Sequence, residues 1–550
     1  MFFDSLEKFG NNIAVYDSSS DVSVTYLELE ELVCERAAQF GDERKLVFIE
    51  AQNSLQSVVD YIACLRGRHV VYLLDSLKNE KTQSLLQLYK PNILIGKDGE
   101  LKFYNDKALK LHKDLALLLS TSGSTGSPKF VKLSQGNIQS NAESICEYLE
   151  LTETDRALSH LKLHYSYGIS ILNSHLQVGA SVILTPHTVI DDAFWTVLNQ
   201  YEATSFAGVP YTFETLLHNK FAVEDYPSLR YATQAGGKLE AGLVQKMSAQ
   251  LSKHNVKFFV MYGQTEAAPR ISYLPPDLVE EFPGSIGKAI PKGELSLIDV
   301  NGNKITEEDK PGELVYSGPN VMMGYATNPE ELSLDETPEC LLTGDIACRT
   351  KFDLYYIVGR TSRFVKPFGI RVNLDEIQSY IKTMHAQSAV TGDDKLIIIA
   401  LLKAVEEETS DIIPSLAKKY ALPESTFLIR FYEDIPLLSS GKYDYKTILA
   451  DQNGDEAENP SLLKRMIGKL ADIFELNEQE WDTILALYQT ILPAAQISTE
   501  DSFNNLDSDS LSFVSLSIEL ENTLGPDLPL DWTKKTIANL DDIYSKIKYG

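Results

Sequence analysis

Leu118-Leu-Ser-Thr-Ser-Gly-Ser-Thr-Gly-Ser-Pro-Lys129 sets an apolar run against a cluster of hydroxyls and two glycines, then closes on a lysine. Glycine lets backbone N–H groups approach an anion closely, and serine and threonine hydroxyls add donors. Lys129 brings a mobile positive charge. The stretch therefore reads as a phosphate loop, from Thr121 through Ser122, Gly123, Ser124, Thr125 and Gly126 to Lys129. It is not the Walker type, because no Gly-Lys-Ser/Thr follows a four-residue spacer. Apolar residues at both ends argue against a plain Ser/Gly surface loop.

Around this loop, short apolar runs alternate with helical patterns up to about residue 350. Lys45–Glu50, Ala180–Thr185 and Lys257–Met261 are examples. Such alternation predicts an α/β fold with largely parallel sheets. Residues 294–325 read instead as short antiparallel strands with Gly and Pro turns. The stretch 451–462 is polar and acidic and predicts a linker. Helical patterns dominate beyond it.

Composition limits the function classes. A chain of 550 residues exceeds one core and suggests several units. The formal charge of −28 argues against nucleic acid or an anionic membrane as partner, since both favour basic surfaces. Five scattered cysteines with no CxxC fit reduced thiols rather than a disulfide framework or a zinc site. The N-terminus lacks a basic region and a long apolar core, and no apolar run approaches the ~20 residues of a membrane span. A cytoplasmic protein is the expectation.

The phosphate loop resembles that of the adenylate-forming superfamily: acyl-CoA synthetases, luciferases and nonribosomal peptide synthetase adenylation domains. Further motifs follow in the family's order. His164-Tyr-Ser-Tyr-Gly168 is similar to the aromatic segment beside the acyl pocket. Ala235-Gly-Gly-Lys238 resembles the strip along adenine. Met261-Tyr-Gly-Gln-Thr-Glu266 is similar to the Tyr-Gly-x-Thr-Glu signature. Gly312-Glu-Leu, Gly318 to Tyr325, Leu342-Thr-Gly-Asp345, Gly359-Arg360 and Pro436-Leu-Leu-Ser-Ser-Gly-Lys442 complete the series over roughly residues 1–450. The resemblance implies an α/β multidomain protein. A large core at 1–360 would hold α/β subdomains and a small β-barrel-like part. A small α+β C-terminal lobe would occupy 361–450.

A second resemblance lies beyond the linker. Phe503-Asn-Asn-Leu-Asp-Ser-Asp-Ser-Leu-Ser-Phe-Val514 is similar to the acyl- and peptidyl-carrier signature, with Ser510 at the phosphopantetheine position. Leu511, Val514 and Ile518 fall at i, i+3 and i+7, so a helix with one buried face is expected to begin near Ser510. An all-α four-helix carrier domain is thus expected at 463–550. That block holds 15 acidic and 7 basic residues, net −8, which suits docking to basic partner surfaces. Asp507 departs from the glycine usual in carriers.

The resemblance implies two half-reactions. A carboxylate attacks the α-phosphate of ATP, giving an acyl-adenylate and pyrophosphate. A thiol then attacks the adenylate and expels AMP. Thr121 to Lys129 would grip the β- and γ-phosphates, and Thr265 would donate to the α-phosphate. Glu266 would hold Mg²⁺, a hard cation suited to carboxylate and phosphate oxygens. Gly236, Gly237, Tyr262 and Gly263 would line adenine, Asp345 the ribose hydroxyls, and Arg360 phosphate or ribose. Lys442 would bridge the substrate carboxylate and the α-phosphate. In the family the C-terminal lobe then rotates to admit the thiol. The hinge position is Ser362, where the family usually has Asp or Lys, and Gly369 matches the thiol-channel loop.

Expected acyl-pocket walls are His164, Tyr165, Phe206, Gly208, Tyr211, Ala235, Met261 and Ala268. Amino-acid-activating members usually carry an aspartate in the segment matching His164 to Gly168, and this chain has none there. An unpaired buried ammonium is costly. The expected substrate is therefore a carboxylic acid without a free α-amino group: fatty, hydroxy or aryl. Expected cofactors are ATP, Mg²⁺ and phosphopantetheine. Expected partners are a phosphopantetheinyl transferase and a downstream acyl-accepting enzyme. Two other readings stay open: an acyl-CoA ligase with a partner-binding helical C-terminus, and an amino-acid-activating adenylation–carrier didomain.

Overall fold

A computed structural model describes residues 1–120, 129–219, 221–365, 367, 372–393, 395–420, 422–437, 443–451, 455–456, 483–492, 497–503, 506, 516, 520, 523–524, 529, 532 and 535–549. The chain divides into two units, Met1–Phe364 and Val365–Pro436 with Tyr443–Gly550.

The predicted strands form where apolar runs allow burial on both faces. Leu46–Glu50, Ser181–Leu184 and Lys257–Gly263 all lie inside large sheets. The first unit holds a nine-stranded and a seven-stranded sheet. In the nine-stranded sheet, Tyr231–Gln234 pairs in parallel with Ser205–Gly208 on one side and with Lys257–Gly263 on the other. Lys257–Gly263 then pairs antiparallel with Arg270–Leu274. The 3-10 turn Thr265–Ala267 lies between these two strands. That hairpin carries the Tyr-Gly-x-Thr-Glu signature at the rim of a parallel sheet, where loops can carry chemistry on a rigid scaffold.

Helices Gln135–Leu149 and Ser166–Val178 cover one face of the nine-stranded sheet. Ser134 opens the first with a capping box, its Oγ accepting from Asn137 N and the Asn137 side chain accepting from Ser134 N. The second ends at Gly179, whose φ of +78° supplies the left-handed C-terminal turn. On the other face, Phe194, Trp195, Phe206, Phe213 and Phe221 form an aromatic core.

The short strands expected after residue 294 belong mainly to a five-stranded antiparallel sheet that includes Glu294–Ile298, Gly312–Ser317, Leu341–Arg349 and Tyr355–Arg360. Its two edge strands do not pair with each other, so this part is an open sheet rather than barrel-like. Tyr325–Ala326 joins the seven-stranded sheet instead, beside Phe130–Ser134.

In the second unit, Ser388–Gly392, Ile397–Leu402 and Phe427–Tyr432 form a sheet packed on Leu374–Lys382 and Ile412–Tyr420. Asp455–Glu456 adds an edge strand to Phe427–Tyr432. Part of the expected linker is therefore sheet, because the exposed edge of that strand offers unpaired backbone groups. Further along, Ile484–Ile491 and Ile537–Tyr549 are helices. Ile484, Leu487 and Tyr488 share one face, and they are buried with Leu516, Leu520, Leu524, Trp532, Ile537 and Leu540. The helix face expected at Leu511, Val514 and Ile518 lies outside the described residues.

Among the described residues, no helix is long and apolar enough to cross a membrane.

Candidate active site

Asp345 is the anchor of the site. It lies in Leu341–Arg349 and is 4% exposed. The antiparallel register places it opposite Arg360, and Arg360 Nε donates to Asp345 Oδ1 at 2.7 Å. The Tyr262 hydroxyl, from a strand of another sheet, donates to Asp345 Oδ2. Burial, and then the Asp345 charge, pushes the Tyr262 phenol well above its ordinary value, so it stays protonated and donating. Asp345 N donates to Thr343 Oγ1 at 3.1 Å. The carboxylate is thereby fixed in orientation before any ligand arrives.

Glu266 occupies the turn Thr265–Ala267. Tyr325 OH donates to Glu266 Oε1 at 2.8 Å, and Met322 N donates to the Glu266 carbonyl at 2.9 Å. Lys129 Nζ lies 3.7 Å from the centroid of the Tyr325 ring, within cation–π range. The end of the phosphate loop, the Tyr325 ring and Glu266 are therefore in one chain of contacts. A single oriented carboxylate suits Mg²⁺, which keeps waters and takes further oxygens from substrate phosphates rather than from an all-protein cage. No cluster of three or more acidic, His or Cys ligands exists among the described residues.

Two glycines are demanded by close approach. A Cβ on Gly263 would lie 2.0 Å from the Pro269 carbonyl oxygen. A Cβ on Gly236, whose φ is +86°, would lie 2.7 Å from Tyr165 OH. Gly237 sits against Pro210. The Ala235–Lys238 stretch thus meets the His164–Gly168 segment directly at Gly236 and Tyr165.

A small cavity of ≈ 20 Å³ lies between the two covering helices and the sheet, walled by Tyr167, Ser170, His175, Tyr231, Met261 and Arg270 among others. Two expected walls, Phe206 and Met261, line it. Phe206 also belongs to the aromatic core on the far side. His164, Tyr165, Gly208, Ala235 and Ala268 do not line this cavity. Tyr211 is 64% exposed in the first turn of the helix Pro210–His218. His164 is held below its ordinary pKa by burial, with Asp75 opposing at 3.9 Å.

Sequence reasoning missed Tyr325, Thr343 and Arg270. Tyr325 ends the quoted Gly318 to Tyr325 motif. Arg270 was visible as the one charge opening an otherwise apolar strand. Thr121 to Gly126, Gly369, Lys442 and Ser510 lie outside the described residues. Ser362 falls in the short turn Thr361–Arg363.

His160, just before this segment, packs edge-on against Phe194 at 5.2 Å and has no partner at Nδ1. Burial lowers its pKa to about 4. The unfolded chain therefore binds a proton near pH 6.5 that the folded chain refuses until about pH 4. Stability from this group is complete above pH 6.5 and is lost as pH falls toward 4. Urea unfolding is expected to show a loss of about 3 kcal/mol across that window from this site. His160→Gln should flatten the slope; an unchanged slope would contradict a neutral buried imidazole.

A family model for AMP-binding enzyme matches residues 103–326. D-alanine--D-alanyl carrier protein ligase of Lacticaseibacillus casei (strain BL23) is 28% identical over 370 residues, 61% of this chain and 71% of the relative. Oxalate--CoA ligase of Arabidopsis thaliana is 30% identical over 352 residues, 61% of this chain and 67% of the relative. The fold is shared with O-succinylbenzoate coenzyme A synthetase from Bacillus subtilis in complex with AMP. There the TM-score is 0.68 at 23% identity, over 82% of this chain and 98% of that one. Together with the ordered motifs, these likenesses place the chain: it belongs to the AMP-binding, adenylate-forming enzyme family and is an ATP-dependent, AMP-forming acid–thiol ligase.

Proposed function

We propose that the chain activates a carboxylic acid lacking a free α-amino group as its acyl-adenylate and then loads the acyl group onto its own carrier thiol. The observation that carries this reading is the pair of oriented carboxylates. Asp345 is held by Tyr262 and Arg360, and Glu266 by Tyr325. One suits a ribose diol and the other Mg²⁺ on phosphates. Bound Mg²⁺ would neutralise charge on the phosphates, and Glu266 would hold it.

In the first half, a carboxylate oxygen forms a bond to the α-phosphorus as the bond to pyrophosphate breaks. Little covalent work is asked of side chains. They hold two anions together and offset charge as it concentrates. Thr121 to Gly126 with Lys129 would take the outer phosphates, Thr265 the α-phosphate, and Gly236 and Gly237 the adenine face. Lys442 would span the carboxylate and α-phosphate. In the second half a thiolate sulfur attacks the acyl carbon and AMP leaves with the electron pair. Ser362 and Gly369 would serve the hinge and the thiol channel.

Ser510 would carry the phosphopantetheine, added by a phosphopantetheinyl transferase, and a downstream enzyme would accept the acyl group. The carrier-like signature around Ser510 and the buried helical core at 484–544 support this. The tether beyond the edge strand Asp455–Glu456, residues 457–462, spans at most ~20 Å. It raises the local carrier concentration to the order of millimolar. Free CoA as acceptor is the second reading, favoured by the likeness to an oxalate--CoA ligase.

Intact-protein mass tests the choice. After phosphopantetheinylation, ATP, Mg²⁺ and a pool of acids should add an acyl mass to the wild type. Ser510→Ala should show neither pantetheine nor acyl mass and should keep adenylation within about twofold. CoA esters in solution from an unloaded wild-type chain would instead establish the second reading.

A further inference from the structure

Arg270 opens the strand Arg270–Leu274, four residues after Glu266, and is 3% exposed. Several other arginines of this unit meet an acid, while Arg44 spends its donors on backbone carbonyls. Arg36 reaches Asp60 at 2.6 Å, Arg230 reaches Asp155 at 2.6 Å and Arg360 reaches Asp345 at 2.7 Å. Arg270 has no such partner among the described residues. Its guanidinium carbon stands 4.7 Å from the Tyr167 ring centroid. Nη2 makes only a long contact to Ser170 Oγ, 3.4 Å. Nε is buried and has no hydrogen-bond partner.

The other polar walls of the cavity are occupied with one another. Ser170 Oγ donates to the Tyr167 carbonyl at 2.7 Å, and Ser174 Oγ to the Ile171 carbonyl at 3.1 Å. Tyr167 OH contacts Thr233 Oγ1 at 2.7 Å. His175 Nδ1 donates to the Ile171 carbonyl at 2.8 Å, which leaves Nε2 to accept from Tyr231 OH at 3.2 Å. Burial lowers the His175 pKa, which favours the neutral imidazole. The remaining groups facing the guanidinium are the Tyr148 and Tyr165 hydroxyls, both neutral phenols with pKa values raised by burial. The Arg270 Nε is thus left as an unspent donor, and no acid among the described residues balances the charge. A buried cation without a counter-ion is expensive, and sites that keep one gain its partner from elsewhere.

We propose that Arg270 receives a second carboxylate of the acid being activated, so that the substrate is a short dicarboxylic acid. This rests on the acid-activating reading above and replaces its fatty-acid option. The four-residue step from Glu266 to Arg270 spans at most ~14 Å of chain. The cavity holds little beyond a water-sized group. Both features favour a short substrate whose distal carboxylate reaches the guanidinium with no bulky chain between. An α-ammonium would face the same uncompensated cation and be repelled.

ATP–pyrophosphate exchange with malonate, succinate and glutarate, set against propionate, butyrate and valerate, reads the preference. The wild type should favour at least one diacid over its matched monoacid by 100-fold or more in kcat/KM. Arg270→Met should slow the diacid far more than its matched monoacid and so remove that preference, and Arg270→Lys should retain part of it. A thermal shift by the diacid without ATP should appear in the wild type and vanish in Arg270→Met. Equal use of monoacids and diacids by the wild type would overturn the proposal. So would equal slowing of both by Arg270→Met in protein that still melts cooperatively. If Arg270→Met does not fold, the wild-type panel and Arg270→Lys decide. No exchange with any acid, alongside a diacid thermal shift, would defeat the adenylation reading and leave the anion site standing. No exchange and no thermal shift would defeat both.

Discussion

Glu266→Gln is expected to slow acyl-adenylate formation by ~10²–10³-fold, the range seen when one electrostatic stabiliser of a transition state is removed. The amide keeps the size and an acceptor oxygen for Tyr325 OH, which now reaches Glu266 Oε1 at 2.8 Å. It loses the negative charge that a hard cation needs. The defect should therefore appear as a raised Mg²⁺ requirement with a normal melting temperature. Tyr325→Phe removes only an orienting hydrogen bond, worth about 1 kcal/mol net, and should cost roughly fivefold. Pyrophosphate release measured against Mg²⁺ concentration separates the two. Equal defects in both variants would show that Glu266 acts through packing rather than through charge.

Lys442→Ala carries the other large expectation. As the bond from carboxylate to phosphorus forms, negative charge gathers between two groups that were each anionic already. A cation present only then lowers the barrier without tightening ground-state binding. Adenylation should fall by ~10³-fold or more, while ATP affinity changes by less than about threefold. Thioester formation from a pre-formed acyl-adenylate should persist. Single-turnover assays of each half separate these steps. A normal adenylation rate in Lys442→Ala would show that the lysine in Ser439-Ser-Gly-Lys442 is a solvated surface charge.

Much of the core was legible because its signals are local. The loop at 118–129, the Tyr-Gly-x-Thr-Glu hairpin and the Leu342-Thr-Gly-Asp345 strand each announce themselves within a dozen residues. Asp345 and Arg360 were each singled out by their motifs, and the antiparallel register brings them into contact. What escaped depends on distance in sequence. Tyr325 meets Glu266 across 59 residues, and only the pairing of Tyr325–Ala326 with Phe130–Ser134 brings it near Lys129. Arg270 was hidden differently. A charge in a strand reads as solvated unless the covering helix is known, and Tyr167 and Ser170 of that helix turn it into a buried cation. Of the expected pocket walls, Phe206 lines the cavity and also joins the opposite core, and Tyr211 is exposed. Asp455–Glu456 looked like linker because edge strands are recruited by an exposed partner rather than by their own composition.

The most direct test is acid-dependent exchange of labelled pyrophosphate into ATP by the purified chain with Mg²⁺. Label should enter ATP only when a carboxylic acid is present, with AMP as the nucleotide product once a thiol is supplied. Exchange independent of any acid, or ADP formed in place of AMP, would contradict an acyl-adenylate on the path.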